Sequence, residues 1–242
     1  MTQSVLLLVV READPELRPD PDGLLHPIPS DKSNEVVLEN RDGRAISSIT
    51  AKGLVVQTGT ESALRTIASV DDVAIRVSIT DARIAFASSK FDKGGGWIGG
   101  AAVMVLANTV SKSLAAARTR GKMLVGHVRY PWLYAVGASP KTGLLDNEEV
   151  RLCLHTSSGE ALVVDMTLPS DLAASEVAAE IVRRAATHRV ACRQGLEHAA
   201  EFETLRDTRA MAGAKGGYSF HLIPASQPID ESSARIGSTT SS

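Results

Sequence analysis

Aromatic residues are scarce, 4% of 242 residues, so the core has to be built from Val, Ile, Leu and Ala. Cysteine is scarcer still. Cys153 and Cys192 are the only two, which excludes a disulfide scaffold and fits a reducing compartment. Long apolar runs are missing as well. The nearest candidate, Trp97 to Ala107, falls short of the ~20 residues that span a bilayer and is ended by Asn108, Thr109, Ser111 and Lys112. The opening "MTQSVLLLVVREADPEL" lacks a basic flank and a small-residue cleavage site, so no signal peptide is expected. Its "VLLLVV" suits a strand buried on both faces. The expected location is the cytoplasm, with peripheral membrane contact as a variant. A net charge of −2 does not mark a polyanion binder by composition. Catalytic signatures are missing too: no G-x-S-x-G, H-E-x-x-H or C-x-x-C occurs.

What is present is mostly β pattern. Five of the ten prolines, Pro15, Pro19, Pro21, Pro27 and Pro29, fall in one stretch, which reads as an extended arm because proline fixes φ and removes a donor. "EVVLEN" is a short strand closed by the turn "RDGR", "AISSI" and "GLVVQ" are weaker strands, and "ESALRTIAS" suits one or two helical turns. In "DVAIRVSITDARIAFASSKF", Val73, Ile75, Val77 and Ile79 alternate with polar and small residues, Asp81–Ala82 turns, and Ile84 to Phe91 returns: a β-hairpin. "MLVGHVRYPWLYAVGAS" reads as a long strand bent at Pro131, and "EEVRLCLHTSSGEALVVDMTL" as a second hairpin with its turn at "SSG". From Pro169–Ser170–Asp171 a helix is expected. Leu172, Val177, Ile181, Val182 and Ala185 form its apolar stripe, with Glu176, Glu180, Arg183 and Arg184 outside. "GLEHAAEFETLRDTRAMA" is helix-compatible, and "KGGYSFHLIP" is a strand that suits pairing with the N-terminal one.

Short strands in hairpins closed by one amphipathic helix point to a small antiparallel barrel or bent sheet. The hairpin "VSITDARIAFASSKF", carrying Thr80, Asp81 and Arg83, resembles the hairpin of bacterial PH-like and GRAM-like domains. The succession of strand, Gly-turn hairpin and C-terminal helix is similar to that fold as well. The resemblance covers roughly residues 35–190 and implies an α+β, PH-like domain with a capping helix and an inserted amphipathic helix. It implies a binding or scaffolding module, often at membranes or in assemblies, with no catalytic residues and no cofactor. Around it lie an N-terminal strand and linker (1–34), an insertion (92–121), a helix and strand (191–224) and a disordered tail (225–242).

One stretch stands apart: "KFDKGGGWIGGAAVMVLANTVSKSLAAARTRGK". Gly94, Gly95 and Gly96 offer a hinge. Val103, Leu106, Val110, Leu114 and Ala117 then recur at helical spacing, predicting a helix over 101–120. Lys90, Lys93, Lys112, Arg118, Arg120, Lys122 and Arg129 are opposed by Asp92 alone, +6 in this span against −8 for the rest. With Trp97 beside them, they mark the expected binding surface for a protein partner or a second copy, with an anionic membrane as the alternative. A nucleotide or nucleic-acid binder using the same cations is the second reading. The plain alternative is a helix packed on its own barrel with solvated lysines. "DKGGGWIGG" is no phosphate loop, since the GK[ST] ending is missing. Cys153 and His155 share a strand face, and His188 and Cys192 share a helix face. A zinc site is conceivable there, but two thiols and two unrelated histidines are the expected state, so no metal is expected. Asp146, Glu148 and Glu149 read as a solvated acidic turn rather than an acid–base pair.

Overall fold

β-Alternation in the sequence becomes one large sheet. The computed structural model describes residues 5–11, 38–46, 48–60, 63–88, 96–99, 122–139, 147–208, 217–229 and 235–238. The strands are β1 (Val5–Arg11), β2 (Leu38–Glu39), β3 (Ala45–Ile46), β4 (Ile49–Thr60), β5 (Ala63–Ile79), β6 (Arg83–Ser88), β7 (Gly96–Gly99), β8 (Lys122–Arg129), β9 (Leu133–Ser139), β10 (Glu149–His155), β11 (Ala161–Thr167), β12 (Ser219–Leu222) and β13 (Arg235–Ser238). The helices are α1 (Ala174–Ala191) and α2 (Ala199–Arg206). Among the described residues eleven strands form one sheet in the order β12-β9-β10-β11-β4-β5-β6-β8-β1-β13, with β7 paired to β5, and β2 and β3 form a small separate ribbon. Only the β1–β13 pairing of the large sheet is parallel. The path is open at both ends, so the fold is α+β with a mainly antiparallel sheet and, among the described residues, no closed barrel.

The two predicted hairpins are present. Ile79 pairs with Ile84 and Arg76 with Ala87, while Leu152 pairs with Val164 and Leu154 with Leu162. The first turn is held by Thr80. Its Oγ1 accepts the N–H groups of Ala82 and Arg83, both at 3.1 Å, and donates to the Arg83 carbonyl. Pro131 does more than bend a strand. A 3-10 turn at Tyr130–Trp132 parts β8, which pairs with β6, from β9, which pairs with β10.

One face of the sheet buries Ile75, Val77, Ile84, Val128, Leu152 and Val164 against Val177, Ile181, Val182 and Ala185 of α1. Burial of this apolar area is the main stabilising term, at about 25 cal/mol per Å². Two buried side chains lie apart from this cluster. Val163 is buried but lies outside this cluster, because its neighbours Leu162 and Val164 take the core face of β11. Glu180, expected outside, is only 4% exposed. Arg183 and Arg184 both pair with it, although burial still raises its pKa.

Four more expectations are corrected. "ESALRTIAS" is not helical; β5 starts at Ala63 and pairs from Thr60↔Ala63 onward with β4. So short a helix cannot repay its nucleation cost, whereas the ladder satisfies every other backbone group at once. The N-terminal strand does not pair with β12 but lies between β8 and β13, while β12 takes the edge beside β9. The tail does not become disordered at residue 225. Ile229 is 1% exposed and bridges Thr156, with its N–H donating to the His155 carbonyl at 2.8 Å. The helix begins at Ala174, not at Pro169. One of its first N–H groups is met by Glu148, whose Oε2 accepts the Ala174 N–H at 2.6 Å. The acidic turn is therefore engaged: Glu148 also pairs with Arg41, and Glu149 accepts the Tyr218 hydroxyl at 2.6 Å.

Candidate functional site

Of the cations expected to bind a partner, Lys90, Lys93, Lys112, Arg118 and Arg120 lie outside the described residues, as do the glycines 94 and 95 and the helix over 101–120. Gly96, read as part of a hinge, opens β7 and pairs with Asp71, and Trp97 pairs with Val70. Lys122 opens β8 opposite Arg11. Arg129 closes β8, with its guanidinium 5.9 Å from the Trp132 ring centre.

Arg129 belongs to a group that sequence reasoning did not assemble. Directly opposed residues of an antiparallel sheet point to the same side. Arg76 lies opposite Ala87, Ser78 opposite Ala85, Ala85 opposite His127, and Arg83 opposite Arg129. Arg76, Ser78, Arg83, His127 and Arg129 therefore share one face of β5, β6 and β8, the face turned away from Ile75, Val77, Ile84 and Val128. Arg83 is fully buried, His127 and Ser78 are 1% exposed, and Arg76 and Arg129 are half-buried. Arg83 Nη1 lies 3.4 Å from His127 Nδ1, and the His127 ring stacks on Trp132 with centroids 5.7 Å apart. A guanidinium can only donate, so Nδ1 is the acceptor and the imidazole proton sits on Nε2. The sequence signal was the parity of the hairpin. Arg76, Ser78 and Arg83 were visible as its polar side, but nothing in the sequence set the β6–β8 register that adds His127 and Arg129.

The motif residues of the first hairpin have local duties as well. Asp81 pairs with Arg184 of α1, and its carbonyl accepts from His188 Nδ1 at 3.1 Å. With that proton on Nδ1, His188 Nε2 is the acceptor for the Cys192 thiol 3.6 Å away. Burial, and then the charge of Arg189, lower the His188 pKa. The four Cys and His positions do not assemble. Cys153 and His155 lie on the face of β10 opposite the helix-packed Leu152 and Leu154, and His155 stacks on Tyr134 at 3.8 Å. Among the described residues no cluster of His, Cys, Asp or Glu suits a metal ion.

The second feature is β12, which among the described residues is the end strand of the sheet. Phe220 is 47% exposed and Leu222 71%, two of the three large apolar side chains that are exposed among the described residues. The N–H of Ile223 donates to the Tyr134 carbonyl at 2.7 Å. In an antiparallel pair alternate residues face the neighbour, so the backbone groups of Phe220 and Leu222 point away from β9. The face beneath carries a polar cluster. Arg151 donates to both Asp165 oxygens at 2.7 and 2.8 Å and lies 4.1 Å from the Tyr218 ring centre. The Asp165 bond, followed by its charge, raises the Arg151 pKa, and burial followed by the Glu149 bond raises that of Tyr218.

Compared with protein-family models, curated proteins and solved structures, the chain matches none of them.

Proposed function

We infer that the chain is a non-enzymatic binding or scaffold protein that docks on a protein assembly, its simplest partner being a second copy of itself. The observation that carries this reading is the β12 edge. Outward-facing backbone groups sit there beside the exposed side chains of Phe220 and Leu222. An apolar edge strand is a template for another strand. Pairing β12 with β12 of a second copy would be isologous and would close as a two-fold dimer.

A PH-like or GRAM-like fold remains part of this proposal. Its support is the Thr80–Arg83 hairpin and the closing helix, which packs on β9, β10 and the Tyr130–Trp132 turn. The cytoplasm is the proposed location, supported by two cysteines that form no disulfide. Among the described residues no helix is long and apolar enough to cross a membrane. The basic segment from Lys90 to Arg129 is the proposed second contact surface, for the same assembly or for an anionic membrane.

The test is mass in solution across a concentration range. A dimer or larger species that Leu222→Asp converts to monomer supports the reading. A wild type that stays monomeric but binds anionic vesicles in a salt-sensitive way, lost in Arg118→Glu/Arg120→Glu/Lys122→Glu, would replace it with membrane docking.

A further inference from the structure

We propose that the face shared by Arg76, Ser78, Arg83, His127 and Arg129 is a binding site for a small phosphate-class oxyanion free in solution. Three arginines and one histidine on three adjacent strands share this face, and Arg83 Nη1 and His127 Nδ1 lie 3.4 Å apart on it. Planar guanidinium forks match the oxygens of such an anion, and several together neutralise more than one charge. The small residues Ala85 and Ala87 occupy the middle positions of the grid. Trp132 holds two of the donors in place, stacking on His127 and lying under Arg129.

A second observation points the same way. The Ser78 hydroxyl, in the middle row, is buried and has no hydrogen-bond partner among the described residues. A buried hydroxyl left so costs free energy that an incoming acceptor or donor would recover. Arg76, Arg83, His127 and Arg129 do hold interactions within the chain. An oxyanion would enter as an additional acceptor, since each guanidinium offers five N–H donors. Asp81, in the turn beside Arg83, is committed to Arg184.

Burial decides the size and source of the ligand. Arg83 and His127 lie beneath the surface, where neither a bilayer plane nor a nucleic-acid backbone reaches them. The half-buried Arg76 and Arg129 are the groups a small anion would meet first. This site does not depend on the β12 edge.

The experiment is thermal unfolding of the full chain with inorganic pyrophosphate, against sodium chloride of equal ionic strength. The expected result is a rise in Tm that grows with pyrophosphate concentration. It should be lost in the half-buried pair Arg76→Gln/Arg129→Gln and kept in Arg206→Gln on α2. Arg83→Met is a weaker test because the variant risks misfolding. Leu222→Asp should keep the response, which separates this site from the docking edge. No response in the wild type, or one that survives Arg76→Gln/Arg129→Gln, overturns the proposal. So does binding to phosphatidic acid vesicles without any response to pyrophosphate, because the anion would then be met on the outer surface.

Discussion

The ring of Phe220 lies directly over Gly137: a Cβ added at Gly137 would stand 2.6 Å from Phe220 Cε1. The edge strand β12 is seated on β9 partly by this contact, and only glycine leaves room for it. Gly137→Ala should displace the ring and cost about 1–3 kcal/mol, as overpacking does. Phe220→Ala should relieve the clash, so the double variant should lose less than the sum of the two. A double-mutant cycle in urea measures the coupling, and strict additivity would contradict the contact.

Arg189 is a buried clamp. Its guanidinium donates to the carbonyls of Tyr130, Pro131, Leu133, Pro224 and Ala225, tying the 3-10 turn and the C-terminal segment to α1. Burial lowers its pKa to about 10, which still leaves it charged at neutral pH. Arg189→Met would leave those carbonyls without their donor and should cost at least about 3 kcal/mol. Arg189→Lys should recover only part of that, because an ammonium has fewer donors and no fork. Equal stability of Arg189→Met and wild type in equilibrium unfolding would refute the clamp.

The C-terminal boundary follows from the same contacts. Removing residues 230–242 takes away β13 but keeps Ile229 and the Ala225 carbonyl. Removing 225–242 takes away both, exposes the space that Ile229 fills, and should destabilise the protein by about 2–5 kcal/mol more than the shorter deletion. Limited proteolysis and melting of the two truncations check this, and equal melting temperatures would contradict it.

Acid should weaken the fold before carboxylates titrate. Burial lowers the pKa of His188 and of His221 in the folded state. Unfolded, both return to about 6.5 and bind protons first. Stability is therefore full above about pH 6.5 and falls as pH drops toward the folded values. Glu180 works in the opposite sense, since its raised pKa makes the folded state take up a proton at acid pH. His188→Asn can keep the hydrogen bond to the Asp81 carbonyl without a titrating group, so it should flatten the Tm profile between about pH 5 and 7. An unchanged profile would rule out His188 as a source of the acid weakening.

Local pattern made much of the fold legible. Alternation marked the Ile79–Ile84 and Leu152–Val164 hairpins, and the stripe through Val177 and Ile181 marked α1. What stayed hidden depended on partners distant in sequence. Ala63 to Ser69 became a strand because β4 lay beside it, against the helical leaning of its Ala, Leu and Arg. Glu180 was placed outside because a charged residue on a helix usually is; its burial needs Arg183 and Arg184 at helical spacing against a crowded face. The cationic face needed the β6–β8 register, and the exposed edge needed the pairing of β12 with β9. Composition shows neither, and the basic run that composition did show has most of its cations outside the described residues.

The docking claim is tested most directly at two backbone amides. The N–H groups of Phe220 and Leu222 point away from β9, and among the described residues no strand lies beyond them to accept their hydrogen bonds. Amide hydrogen exchange at these two residues, followed as protein concentration rises, reads whether a second molecule supplies that strand. The account predicts that exchange slows with concentration in the wild type and stays fast in Leu222→Asp, while the Ile223 amide, already bonded to Tyr134, changes little. Exchange at Phe220 and Leu222 that ignores concentration would contradict it.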